Sequence, residues 1–250
     1  MRYVRVNHEN CVQYGRLEGE TVTLLSGAPW LGGADCGQVP LATCELLAPV
    51  QPSKVVAVGL NYRAHAAELH DEIPAEPVLF LKPSTAVIGP GEPIRRPAMS
   101  RRVDFEAELA VVLGRPLKDA GEEEAMAAVF GFTCLNDVTA RDLQRQDGQW
   151  TRAKGFDTFC PIGPWIETDL PYGDVEVTSR LNGDTRQRGR TAMFIHPLPK
   201  LLSYASQIMT LLPGDVLTTG TPEGIGPMLS GDEIEIEVQG IGVLRNPVQD

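Results

Sequence analysis

Short runs in which apolar and polar residues alternate open the chain: Arg2–Val6, Val12–Leu17 and Thr21–Leu25, separated by turn material such as Glu18-Gly19-Glu20. A period of two marks half-buried strands, so residues 1–50 read as a small β domain. The Gly-, Ala- and Pro-rich stretch Gly27–Pro40 and then Pro49-Val50-Gln51-Pro52 break the pattern. Beyond them the apolar runs grow denser. Val55–Leu60, Val78–Lys82, Asp104–Leu113 and Phe132–Asn136, bounded by Gly or Pro, predict the core strands of a second domain over residues 51–250.

Helical patterns are fewer. Asp119 with Glu122 three residues on resembles a capping pair, ahead of a short helix running through Ala125–Phe130 to Gly131. Leu201, Leu202, Ala205, Ile208, Met209 and Leu212 share one 3.6-period face until Pro213-Gly214 stops it. Val175–Leu181 runs into Asn182-Gly183, a hairpin signal, and Ile234, Ile236 and Val238 alternate with three glutamates as a half-exposed strand does. The fold class is therefore α+β, strand-rich, with short flanking helices.

The charge narrows the range of partners. Twenty-two basic against 33 acidic residues give a net charge of −11, which argues against nucleic acid or a polybasic membrane contact. The chain start lacks an apolar signal core, and no apolar run is long enough to span a bilayer. Five cysteines, an odd number without a Cys-x-x-Cys pair, suit a reducing cytoplasmic setting. Cys134 and Cys160 lie in apolar stretches and read as packed thiols rather than nucleophiles.

Candidate chemistry concentrates in a few stretches. In Asp104-Phe105-Glu106-Ala107-Glu108-Leu109 the strand period puts Glu106 and Glu108 on one face, roughly 6.5–7 Å apart along the strand. An exposed strand face explains that equally well, until the apolar flank Leu109–Leu113 is considered. A strand entering the core drags both charges with it unless a cation neutralises them. Asp137 ends a neighbouring apolar strand, and a helical turn after it would align Asp137, Arg141 and Gln144 on one face, with Arg141 free to pair with Asp137. Three carboxylates with no paired His or Cys suit Mg²⁺ or Mn²⁺. With a divalent ion they still leave one negative charge in excess, for which Lys154 is the candidate counter-charge, although a surface lysine fits the same position.

His65 and Glu68 stand at i and i+3 of a short helix, where a carboxylate orients an imidazole and raises its basicity. A surface pair is the alternative; His8, His70 and His196 have no comparable setting. The loop Gly220-Thr221-Pro222-Glu223-Gly224 can offer amides and the Thr221 hydroxyl to a carboxylate, but lacks the ending of a P-loop, so no nucleotide site is expected.

From about Ser53 onward these stretches together resemble the fumarylacetoacetate hydrolase family. Gly59-Leu60-Asn61-Tyr62 with His65 and Glu68, Phe80 to Thr85, Asp104 to Leu109, Asn136 to Gln144, Ala153-Lys154, Gly214-Asp215-Val216 and Thr219 to Gly224 occur in the family's order. The resemblance implies a mixed β-roll catalytic domain, a homodimer, and Mg²⁺ or Mn²⁺ held by Glu106, Glu108 and Asp137. It also implies a His65–Glu68 dyad on a lid, with Lys154 and Gln144 near the reacting oxygens; Arg141 and Thr221 are further candidates for substrate contact. Where relatives carry Thr-Ser-x-Met-Ile-Phe this chain has Arg190 to Ile195, and Thr191 is given no role. The activity expected first is cleavage of a C–C bond, by hydrolysis or decarboxylation, in a small anionic 2-oxo or 2,4-dioxo acid such as an acylpyruvate or oxaloacetate. The alternative is an isomerase or decarboxylase of unsaturated 2-oxo dioates of the hydroxyheptadienedioate type. A catalytically silent metal-binding dimer is the third reading.

Overall fold

The computed structural model describes residues 1–69 and 73–250, so His70 lies outside the described residues. Strands β1 (Arg2–His8), β2 (Cys11–Glu18), β3 (Thr21–Leu25) and β4 (Asp35–Pro40) form an antiparallel meander, with β5 (Glu45–Leu47) on β1. Val4, Val6, Leu17, Val22 and Leu24 give this part a core of its own. Next come β6 (Val55–Gly59), α1 (Arg63–Leu69), β7 (Val78–Lys82) and the short β8 (Val87–Ile88) and β9 (Ile94–Arg95).

The site-bearing segment follows: β10 (Val103–Phe105), β11 (Ala107–Leu113), α2 (Glu122–Ala127), β12 (Val129–Asn136), β13 (Thr139–Ala140), α3 (Arg141–Asp147) and α4 (Thr151–Lys154). The chain closes with β14 (Cys160–Glu167), β15 (Glu176–Leu181), β16 (Asp184–Arg190), α5 (Leu198–Ile208), β17 (Val216–Thr218), β18 (Gly226–Pro227), β19 (Glu233–Val238) and β20 (Gly242–Gln249). The fold is strand-rich α+β.

A large sheet runs β4-β3-β2-β1-β14-β12-β11-β17-β6-β7, and a second sheet, β16-β15-β19-β20-β9, packs against it. Strand β1 pairs with β14 through Arg2↔Glu167 and Tyr3↔Ile166, so the N-terminal meander extends the large sheet. Strand β11 is buried on both faces. Leu109, Val111 and Leu113 meet Val177, Ile234 and Ile236 of the second sheet, while Ala110 and Val112 join Val55, Leu135 and Ile162. Burial on both sides is why its sequence is a continuous apolar run rather than an alternation.

The structure differs from the sequence pattern at several points: α5 ends at Ile208, so Met209 and Leu212 lie beyond it and Ile208 and Leu212 are exposed, and β4 occupies the end of the Gly27–Pro40 stretch. Asp119 caps no helix: Gly121 is the N-cap of α2, and Asp119 takes a left-handed φ of 51° with its carboxylate on Lys118. The helix also stops at Ala127, because Val129 and Phe130 already belong to β12, which needs their amides for its ladder. The Asp104–Leu113 run is two strands, broken at Glu106. No helix among the described residues is long and apolar enough to cross a membrane.

Candidate active site

Asp104, Glu106 and Glu108 keep the period of two across the strand break. At the break the Glu106 amide donates to Asn136 Oδ1 at 2.9 Å, and the Glu106 carbonyl accepts the Asp137 amide at 2.9 Å. This exchange locks the end of β12 beside the start of β11 and brings Asp137 to the two glutamates. Ligand oxygens of Glu106, Glu108 and Asp137 all lie within 4.8 Å of one another, and all three side chains are buried.

Buried cations hold this cluster together. Lys154, at the end of α4, reaches Glu106 Oε2 at 2.9 Å and Asp137 Oδ2 at 2.6 Å. Lys82, fully buried, donates to Asp137 Oδ1 at 2.5 Å and to the Val138 carbonyl at 3.2 Å. Arg141 donates from Nε to Asp104 Oδ2 at 3.0 Å, from Nη2 to Glu106, and from Nη1 to Gln144 Oε1 at 2.5 Å. Its carboxylate partners are therefore Asp104 and Glu106, not Asp137. Asp137 also precedes α3 rather than lying on it, because Thr139 and Ala140 form β13 first; Arg141 and Gln144 do share the helix.

The charges set the protonation of the site. Burial alone would raise Glu106, but Lys154 and Arg141 outweigh it and hold the carboxyl well below the usual range. Glu108 accepts the Gly220 amide at 2.8 Å and has no cation partner among the described residues. Burial, then the nearby Asp137 and Glu106, push it up to about 8. Burial pulls the Lys154 ammonium down, yet Asp137 and Glu106 prevail and hold it above its ordinary value.

Helix α1 supplies the imidazole. His65 Nδ1 pairs with Glu68 Oε2 at 3.0 Å, which leaves Nε2 as the ring nitrogen available to the cavity that His65 lines. The start of α1 is anchored by buried Asn61, whose amide donates to the Thr219 and His196 carbonyls at 2.8 and 3.2 Å and whose Oδ1 accepts the His196 amide at 2.8 Å. The cavity, about 230 Å³, is lined by all three clustered carboxylates together with His65, Arg141, Gln144, Lys154 and Thr221. One expected role changes. The Thr221 hydroxyl proton goes to the Ala107 carbonyl at 2.9 Å and its oxygen accepts Gln187 Nε2 at 2.7 Å, so it lines the wall with no proton to offer a ligand.

Lys82, Asp104, Arg145 and Trp150 are site residues the sequence reasoning missed. Lys82 had a signal: Phe80 and Lys82 share one face of β7, and Phe80 carries the Lys154 ammonium 4.9 Å above its ring while Leu81 points outward. Asp104 had one too, in the parity it shares with Glu106 and Glu108. Trp150 packs edge-on to Phe80 at 5.1 Å and over Gly59, where a Cβ would stand 2.7 Å from the indole, so only glycine leaves room for that wall. Cys134 and Cys160 are buried and pushed up to about 12 by that burial, which leaves no thiolate for a covalent mechanism.

The donor set fits a hard divalent cation. It offers three converging carboxylate oxygens without imidazole or thiolate, and Glu108 is a buried carboxyl with no cation partner among the described residues. The family pattern described as fumarylacetoacetate (FAA) hydrolase, C-terminal, matches residues 54–249. The chain belongs to that family. Residues 1–49 match a pattern described as Rv2993c-like, N-terminal. Protein Rv2993c of Mycobacterium tuberculosis is 54% identical over 212 residues, covering 84% of this chain and 80% of that one. The oxaloacetate tautomerase Fahd2a of Rattus norvegicus, a mitochondrial protein, is 39% identical over 90% of this chain and 76% of its own. The crystal structure of 5-carboxymethyl-2-hydroxymuconate delta-isomerase from Mycobacterium smegmatis superposes with a TM-score of 0.94, at 49% identity over 100% of this chain and 99% of that one.

Proposed function

We propose that the protein is a divalent-metal-dependent enzyme that forms and reprotonates the enolate of a small 2-oxo acid with a second carboxylate, as an isomerase or tautomerase. The observation that carries this reading is one cavity shared by the Glu106/Glu108/Asp137 cluster, Lys154 and the His65–Glu68 pair. The similarity to an isomerase of an unsaturated dioate and to an oxaloacetate tautomerase supports placing proton transfer ahead of C–C cleavage.

Glu106, Glu108 and Asp137 would hold Mg²⁺ or Mn²⁺, which when bound supplies Lewis-acid stabilisation of the negative charge that develops on the 2-oxygen. Lys82 and Lys154 turn the cluster's negative excess into a positive surplus, which favours an anionic substrate. Gln144 gives its carbonyl to Arg141 and keeps its amide protons for a substrate oxygen. Glu68 fixes the Nδ1–H form of His65, so Nε2 accepts a proton from the carbon next to the 2-oxo group. The C–H electron pair becomes the new C=C bond as the C=O π pair moves onto the oxygen. His65 then returns the proton to the oxygen in a tautomerase, or to a carbon further along in an isomerase.

A second reading keeps the family's hydrolytic chemistry, with His65 activating a water instead, and the same dyad geometry supports it. An NMR time course separates the two. Chelator-stripped protein with Mg²⁺ should speed enol–keto interconversion of oxaloacetate, or migration of the double bond in an unsaturated 2-oxo dioate, without new fragments. Acetate and pyruvate from acetylpyruvate, or pyruvate from oxaloacetate above the metal control, would favour cleavage.

A further inference from the structure

The cavity runs from a charged floor to an exposed rim. Lys82, Lys154 and Arg141 are all committed to Asp137, Glu106 and Asp104 at the floor. Val58, Leu60, Phe80 and Trp150 add apolar wall to the same cavity. At the rim stands Arg145, exposed, on the last turn of α3, four residues after Arg141 and next to Gln144. Among the described residues it has no carboxylate partner. The two acids of its own helix are engaged elsewhere: Asp142 accepts Ser100 Oγ at 2.6 Å and the Arg101 amide at 2.9 Å, and Asp147 accepts Arg152 Nε at 2.8 Å.

An exposed cation, a buried polar floor and apolar walls in one cavity match a carbon chain with a carboxylate at each end. We propose that Arg145 receives the far carboxylate of the substrate and so selects 2-oxo dicarboxylates over 2-oxo acids that end in an alkyl group. This rests on the reading that the 2-oxo end of the substrate binds at the Glu106/Glu108/Asp137 floor. A guanidinium suits the task because it presents a planar fork that two carboxylate oxygens can accept together.

The test uses two dianions of equal charge and different reach. Oxalate occupies only the floor, whereas oxaloacetate also carries a carboxylate toward the rim. Dissociation constants for both are measured by calorimetric titration of the full chain with Mg²⁺ present, for wild type, Arg145→Gln and Arg145→Lys. Arg145→Gln is expected to weaken oxaloacetate about tenfold, because the far carboxylate loses a charged hydrogen-bond donor. Oxalate should stay within about twofold, and Arg145→Lys should recover part of the loss. Equal weakening of both anions would make Arg145 a source of general attraction and overturn the proposal, as would no change in either. If wild type binds neither anion, the floor itself has been misread and both readings fall together. Because Arg145 is exposed, an unchanged melting temperature confirms that the variants are folded.

Discussion

The Gly224 amide donates to Glu68 Oε1 at 3.1 Å while the other oxygen of the same carboxylate holds His65. Gly224 has a left-handed φ of 94°, and a Cβ there would stand 2.3 Å from the Arg186 carbonyl, so no other residue fits without moving the loop. The loop after Gly220 therefore orients the dyad through its backbone. Gly224→Ala is expected to lower turnover by about a hundredfold, similar to Glu68→Ala, in the range typical of a mispositioned general base. In the double variant the second substitution should add little, because both act through the same carboxylate. Losses that multiply would show that the two residues act separately.

Lys82 does not line the cavity. It lies behind Asp137, fully buried, and removing it leaves a buried carboxylate facing the backbone with one fewer counter-charge. Lys82→Met should destabilise the metal-free protein by about 3–5 kcal/mol. Added Mg²⁺ should restore more stability to the variant than to wild type, because a cation binding only the folded state offsets the lost charge. Thermal denaturation with and without Mg²⁺ reads both effects. A variant that melts like wild type in chelator would contradict this role.

Much of the fold could be read from strand periodicity, because the strands of the two sheets alternate or run apolar according to which faces they bury. The helix over Ala125–Phe130 was overextended for a tertiary reason, since apolar residues that suit a helix end also suit the start of β12. At the site, parity placed Glu106 and Glu108 together, and the i,i+3 spacing paired His65 with Glu68. Partner choice was not readable in this way. Arg141 bonds to Asp104, thirty-seven positions away, and Lys82 to Asp137 across fifty-five, contacts fixed by strand order rather than local spacing. Thr221 looked available because its hydrogen bonds to Ala107 and Gln187 also join distant segments.

Asp215 ties the start of β6 to β17. It accepts the Ser53 amide and hydroxyl at 3.0 and 2.6 Å and the Leu212 amide at 2.8 Å, and it pairs with Lys54. Burial would raise this carboxyl, but the bonds from Lys54, Ser53 and Leu212 outweigh it and hold it below its ordinary 3.8. The folded state thus favours the ionised form. Its contribution is present above the unfolded value and is lost as pH falls through the lower folded one. Asp215→Asn should cost about 3 kcal/mol near neutrality, and the gap to wild type should narrow below about pH 4. A gap that stays constant down to acid unfolding would contradict the assignment.

The most direct test of the account is the decay of enol-oxaloacetate, followed optically in chelator-stripped protein, with and without Mg²⁺, for wild type and Glu106→Gln. The expected result is acceleration only when wild type and Mg²⁺ are both present, with no pyruvate formed beyond the Mg²⁺ control. Acceleration by Glu106→Gln equal to wild type, or a wild-type rate indifferent to Mg²⁺, would show that the carboxylate cluster is not where the chemistry happens.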